Sequence, residues 1–266
     1  MQLTYPDDSI TLAPAKPVIN IPTQEVEFEN LGTTIEVILN GTTTVAGADF
    51  QLVQFHMHTP SEHHINGEYH PLEIHMVHQG VADPTQLAVV ALMFQVSAGE
   101  SSSIIKSLSS SIAAISTPGT KTAIPAGIDF TDVLAKVESS DILQYTGSLT
   151  TPPCAEGVTF MIVKDPLDIS VADFNAIKSV VKFNARFIQN TLGGMNILEV
   201  GALSGTASAL AIPAALNETS GAGADNGTVT GASPAVMTPG QKFTVTELHG
   251  QVRGGSWRLT VDVQVD

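Results

Sequence analysis

Seven of the eight histidines in this 266-residue chain fall between Asp49 and Gln79, in DFQLVQFHMHTPSEHHINGEYHPLEIHMVHQ. Imidazole titrates near neutral pH and is a common metal ligand, so the clustering points to metal or proton chemistry. Alternation from Phe50 to His58 sends Leu52, Gln54, His56 and His58 to one face of an expected strand, and Val53, Phe55 and Met57 to the other. Asn66-Gly67 suits a two-residue type I′ turn, because both residues tolerate positive φ. A return strand is expected from about Glu68 to His78, and with no bulge that turn sets His75 opposite His58. Thr59-Pro60 offers a place for such a bulge.

On this register three imidazoles, His56, His58 and His75, converge on one face. Three neutral histidines at about 2.0–2.1 Å, with a fourth position left to water, make the zinc arrangement of hydrolytic and hydration chemistry. Structural zinc favours four closed ligands rich in Cys, and the chain has one Cys, so a catalytic Zn2+ is expected. His78 is out of phase with His75 and is expected to point away, satisfied or exposed, while His64 and His70 read as solvated. Two other readings stand beside this one. Strand histidines next to a polar loop need no metal. His56-x-His58-x-x-x-Glu62 also matches the core of a cupin motif, in which Glu62 would be a ligand and iron or manganese the metal, although the glycines around it are misplaced and no second cupin motif follows.

QFHMHTPSEH, NGEYHPLEIHMVH and LAVVALMFQV, with Tyr145-Thr-Gly-Ser-Leu-Thr-Thr-Pro-Pro-Cys-Ala-Glu-Gly-Val-Thr159, resemble the alpha class of carbonic anhydrases. The likeness covers about residues 1–205, with FNARFIQN at Phe183 to Asn190 as its last clear segment. It implies a mainly β fold, a large twisted and mostly antiparallel central sheet with small peripheral helices, and reversible hydration of carbon dioxide to bicarbonate and a proton at zinc-bound hydroxide. By the same resemblance, Thr150 orients that hydroxide by donating to an ionised Glu62, and Thr151 helps to hold bicarbonate. Val77, Val89, Leu149 and Val158 form an apolar wall for carbon dioxide. Gln54 and Glu73 stand two residues before His56 and His75 and share their faces, as the ligands' hydrogen-bond partners should. A main-chain carbonyl, that of Asn184, is expected to serve His58, and Tyr145 with His63 to complete a buried network. An inactive member used as a binding module is the rival within the family; such members normally lose a zinc histidine, and none is lost here.

The sequence also departs from the family pattern. The N-terminal segment with its Gln-Ser-Pro-Ile-type motif and cysteine is missing, Phe187 replaces a more usual proline, and Thr33 stands where a histidine often shuttles protons. Threonine does not titrate near neutral pH, so slower turnover than in shuttle-bearing relatives is expected. Cys154 lacks the partner with which the family's cysteine pairs; it reads as a buried inert thiol or as the bridge of a homodimer.

The elements that must carry these residues are legible in outline. At 43% hydrophobic content, 266 residues can bury one large core or two small ones. A net charge of −15 argues against nucleic acid and acidic membranes, leaving a small molecule or another protein as partner. No apolar run approaches the roughly 18 residues of a membrane span, and the first residues do not read as a signal peptide. Residues 1–48 read as short strands with Pro-rich connections, and Leu87 to Val96 as a central strand. Helical spacing runs from Glu100 to Ser116, Thr131 is expected to cap a helix through Val137, and Ser170 with Asp173 resembles a capping box. The division expected is a catalytic domain at 1–204, a flexible Ala/Gly/Ser/Thr-rich connector at 205–240 and a hairpin-like tail at 241–266, which offers a second route to a dimer. Asn40-Gly-Thr, Asn217-Glu-Thr and Asn226-Gly-Thr are candidate glycosylation triplets and, with the acidic pI and the family's habit, suggest secretion.

Overall fold

The computed structural model describes residues 2–3, 10–187, 247–252 and 255–260. Two compact units divide the chain, Met1–Leu198 and Glu199–Asp266. The first begins with β1 (Gln2–Leu3), β2 (Thr11–Leu12), β3 (Val18–Asn20), β4 (Val26–Asn30) and β5 (Ile35–Val45). Then come β6 (Ala48–His58), β7 (His64–Ile65), β8 (Glu68–Tyr69), β9 (Leu72–Gly80) and β10 (Leu87–Ser97). Helix α1 (Ser103–Ser109), a 3-10 turn (Ile112–Ile115), β11 (Lys121–Ile124) and α2 (Thr131–Ser139) lead to β12 (Ile142–Ser148), β13 (Glu156–Ser170) and α3 (Val171–Val181). In the second unit β14 (Glu247–Val252) pairs antiparallel with β15 (Gly255–Thr260). The expected connector, and the triplets at Asn217 and Asn226, lie outside the described residues.

The protein is mainly β. Ten strands form one sheet in the order β11-β4-β5-β6-β9-β10-β13-β12-β2, with β3 paired to β5 off that path. Within this sheet, among the described residues, only β10 and β13 pair in parallel. β10 sits among the inner strands because LAVVALMFQVS is apolar on both faces. Ala88, Val90, Leu92 and Phe94 join the larger core, which also buries Phe28, Val37, Phe55, Met57, Ile74 and the apolar sides of the helices. Val89, Ala91 and Met93 face the other way, with Tyr145, Val158, Phe160 and Ile162. The histidine strands β6 and β9 are therefore anchored by one face and leave the other for chemistry.

Register differs from the expected one. Asn66 and Gly67 do adopt positive φ, of 52° and 86°, and His64 faces Tyr69 across that turn. Beyond this small hairpin, however, His75 pairs with His56, and His58 pairs with Glu73. The segments between the two strand pairs shift the ladder by an even number of residues, so His75 keeps its face although it changes its neighbour. Leu52 pairs with His78 and Gln54 with Val77, so two steps of β6 match one of β9. That bulge moves Leu52 from the histidine face into the main core with Phe55.

The helices follow the apolar spacing with altered ends. Glu100–Ser116 divides at Ser109-Ser110-Ser111, residues of weak helix propensity, while Ile104, Ile105, Leu108, Ile112 and Ile115 are all buried. Thr131 is the first residue of α2 rather than its cap; Asp129 Oδ1 accepts from its N–H at 2.9 Å and its hydroxyl at 2.6 Å. Ser170 does cap α3, accepting from the Asp173 N–H at 3.1 Å. No helix among the described residues is long and apolar enough to cross a membrane.

His78 turns into the main core, where its Nε2 lies 2.9 Å from Thr43 Oγ1. Phe55 is fully buried, edge-on to Phe130 with centroids 6.1 Å apart. Phe55→Ala is expected to cost about 3–5 kcal/mol in urea unfolding, whereas exposed Val81→Ala stays within about 0.5 kcal/mol. Burial pushes His78 down to about 4. Between about pH 6.5 and 4 the unfolded chain therefore binds a proton that the native ring refuses, and stability falls with acid by about 1.4 kcal/mol per unit. In metal-free protein, His78→Gln is expected to remove that part of the slope.

Candidate metal centre

β6 presents Gln54, His56 and His58, and β9 presents Glu73, His75 and Val77, on one side of the sheet. The ring centroids of His56 and His58 lie 5.0 Å apart, of His56 and His75 5.5 Å, and of His58 and His75 4.6 Å. Each offers one nitrogen, all within 4.8 Å of one another. His56 Nδ1 is 2.9 Å from Gln54 Oε1, and His75 Nε2 is 2.6 Å from Glu73 Oε1. Both oxygens can only accept, so these nitrogens carry the protons and leave His56 Nε2 and His75 Nδ1 as lone pairs. His58 Nε2 is buried with no hydrogen-bond partner among the described residues. An orphaned buried nitrogen beside two aimed lone pairs fits a metal cation of imidazole preference.

Burial favours the neutral form of His56 and His58, whereas at His75 burial is outweighed by Glu73, which raises the ring above its ordinary value. Burial, then the neighbouring rings, pushes His56 down to about 2. Burial and His75 push His58 down to about 3, against a smaller opposite pull from Glu73 and the Asn184 main chain. Neutral imidazole is the ligand form, so protons compete weakly with metal at these two positions.

Glu73 is the anchor of the network. Its Oε2 accepts from the main-chain N–H of Glu62 at 2.7 Å and of His63 at 3.0 Å, and its Oε1 accepts from His63 Nδ1 at 2.5 Å as well as from His75. Burial alone would raise this carboxyl, but His63 and His75 outweigh it and hold it well below the usual carboxylate range. His63 Nε2 in turn accepts from the Tyr145 hydroxyl at 2.7 Å. Burial and the two glutamates push the phenol well above its ordinary value, which keeps it a donor. His63, Glu73 and His75 are also close enough to hold a metal, but their facing atoms are already engaged with each other.

Other expected residues fall around this cluster. Val89 and Val158 are buried and pack with Val77 and Leu149 in the apolar cluster on the same side. Glu62 is buried and its Oε1 accepts from the Arg186 N–H at 2.8 Å. It is in neither group of atoms that could share a metal, so the cupin reading, which needs it as a ligand, fails. Thr150 is half-buried and Thr151 exposed in the bend after β12. Thr33 is exposed, Cys154 is a half-buried free thiol, and His64 and His70 are half-buried rather than solvated.

Several supporting residues escaped the sequence reading. Asn184 was expected to act through its carbonyl, yet its side chain does more: Oδ1 accepts from Thr59 N–H at 2.9 Å, and Nδ2 donates to the carbonyls of Met57 and Thr33 at 2.9 and 3.0 Å. Thr34 Oγ1 donates to the Met57 carbonyl at 2.6 Å. Phe160 stacks on Tyr145 with centroids 5.1 Å apart and lies 5.9 Å from the His75 ring. Its place two residues after Val158 on β13 was the available signal.

Comparison with known proteins places this geometry. The model of the eukaryotic-type carbonic anhydrases matches residues 6–194. Alpha carbonic anhydrase 4 of Arabidopsis thaliana is 34% identical over 157 residues, 58% of this chain and 55% of that protein, so the chain spans about half the length of such curated relatives. A carbonic anhydrase of Klebsiella pneumoniae is 33% identical over 175 residues, 64% of this chain and 68% of that protein. Among solved structures, the fungal alpha carbonic anhydrase of Aspergillus oryzae aligns with a TM-score of 0.69 at 39% identity, covering 73% of this chain and 83% of that one. A match across well over half of the residues, including every strand that carries the three imidazoles, means that the chain belongs to the eukaryotic-type carbonic anhydrase family.

Proposed function

We propose that this chain catalyses the reversible hydration of carbon dioxide to bicarbonate and a proton, with Zn2+ held by His56, His58 and His75. The observation that carries the reading is the set of three imidazoles, two buried and His56 half-buried, two of them locked by Gln54 and Glu73 with a lone pair turned toward the others. Bound there, zinc supplies a Lewis acid that brings the pKa of water to about 7. Gln54 and Glu73 fix ring tautomer and direction, and ionised Glu73 strengthens the basicity of His75. Glu62, fixed by the Arg186 N–H, is assigned as acceptor for the Thr150 hydroxyl, which rotates to accept from the attacking water and aim it. Thr151, exposed beside it, is assigned to product bicarbonate. Val77, Val89, Leu149 and Val158 form a wall suited to an apolar gas and unsuited to the charged product.

Elemental analysis should find one zinc per chain, and stopped-flow measurement should find carbon dioxide hydration by the zinc-loaded protein. His75→Ala is expected to lose both; full zinc occupancy in the parent without hydration would overturn the proposed activity. Glu73→Gln keeps the shape but weakens the acceptor, and should lower zinc affinity by about 10–100-fold in chelator competition. Unchanged affinity would remove Glu73 from the orienting role.

A further inference from the structure

The helix side of the sheet holds an open cavity of about 490 Å³ that shares no residue with the imidazole cluster. Its walls come from the turn before α1, from α1 and α2, and from β13, where Leu167 joins the larger core. Those walls are tied to one another. Ser102 N–H donates to the Asp168 carbonyl at 2.9 Å, Asp132 Oδ2 accepts from the Ser103 N–H at 2.7 Å, and Ser103 Oγ accepts from the Asp132 N–H at 3.2 Å. The fold therefore holds the shape ready before anything enters it. Ser102 stands at the back of this cavity and is 6% exposed. It occupies the N-cap position of α1, where a serine ordinarily accepts from a main-chain N–H of the first turn, yet it makes no such bond. Its Oγ is left buried with no partner among the described residues. A buried hydroxyl that neither donates nor accepts is rare, and it marks a place where a further polar atom belongs.

The charges around Ser102 divide into engaged and free ones. Lys106 pairs with Glu100 at 2.5 Å, and Asp132 is held by the Ser103 N–H. The Lys136 ammonium and the Asp168 carboxylate line the same cavity but form no ion pair with each other or with any other described residue. A bare anion would face the carboxylates of Glu100, Asp132 and Asp168, and a bare cation would face two ammonium groups. A divalent metal ion would find Asp168 as its one uncommitted carboxylate, too few oxygen ligands for a hard cation. One free cation, one free anion and one buried hydroxyl instead suit a ligand that carries both charges on a short frame. We propose that this cavity binds a zwitterionic α-amino acid, its carboxylate on Lys136, its ammonium on Asp168 and one polar atom on Ser102 Oγ. The site is independent of the activity proposed above: Phe55, Met57, Ile74 and Met76 face the core on the helix side, so the alternating imidazoles of β6 and β9 face the other.

The test is titration of the zinc-loaded full chain with L-alanine, followed through assigned main-chain amide signals in NMR. The signals of Ser102, Lys136 and Asp168 should shift to saturation with a Kd on the order of 1 mM, while those of His56, His58 and His75 stay in place. Acetate and ethylammonium each carry one half of the charge pattern, and glycerol carries hydroxyls alone; each should bind at least about tenfold more weakly. Lys136→Gln and Asp168→Asn are each expected to weaken L-alanine about tenfold, and Ser102→Ala about threefold, with urea midpoints matching the parent's. The first two substitutions lie outside the core and keep the test intact should Ser102→Ala fail to fold. Shifts that do not saturate, shifts centred on the imidazoles, equal binding of acetate, ethylammonium or glycerol, or undiminished binding in the folded variants overturns the proposal.

Discussion

Everything at the candidate centre hangs on one buried negative charge. Glu73 has no exposed surface and receives four hydrogen bonds, two from main-chain N–H groups and two from imidazoles. An isolated carboxylate in that position would be expelled or neutralised; four donors make it the stable form. In return it fixes the tautomers of both His63 and His75, and through His63 it fixes the direction of the Tyr145 hydroxyl. The loop that carries Glu62 is pinned to the other oxygen of the same carboxylate. A single ion thus sets which nitrogen of a ligand faces inward and where a second carboxyl stands.

The sheet supplies the rigidity that such a charge needs. β6 and β9 are held by large apolar side chains on their core side, with Phe55, Met57, Ile74 and Met76 fully buried. The opposite side then carries polar groups that no isolated pair of strands could keep dry. Tyr145 and Phe160 stack over this side, and Val89 and Val158 pack beneath them. One face of the same strands contributes most of the stability, and the other is left free to be chemically demanding.

Much of this was legible in the sequence. The three imidazoles, their face and the roles of Gln54 and Glu73 as neighbours followed from period-two alternation, because parity is a local property of a strand. Which histidine lies across from which was not legible, since the bulge between Leu52 and Gln54 leaves no local mark, and Thr59-Pro60 marks a place for an irregularity without fixing how far it shifts the ladder. Leu52 was lost to the other face for the same reason. Thr131 failed as a cap because Asp129, two residues earlier, is the better acceptor. The side-chain role of Asn184 was hidden because it depends on contacts with segments more than a hundred residues away, which no local pattern encodes.

That asparagine also bears on how the chain is made. Asn184 gathers Thr33, Met57 and Thr59, three points on the early half of the unit, from a position just beyond α3. During synthesis, the strands bearing all three imidazoles leave the ribosome long before the residue that ties their ends together. The ties from Asn184 form only after the whole of α3 has emerged. The ends of those strands are thus closed by one amide that arrives after every imidazole of the cluster itself.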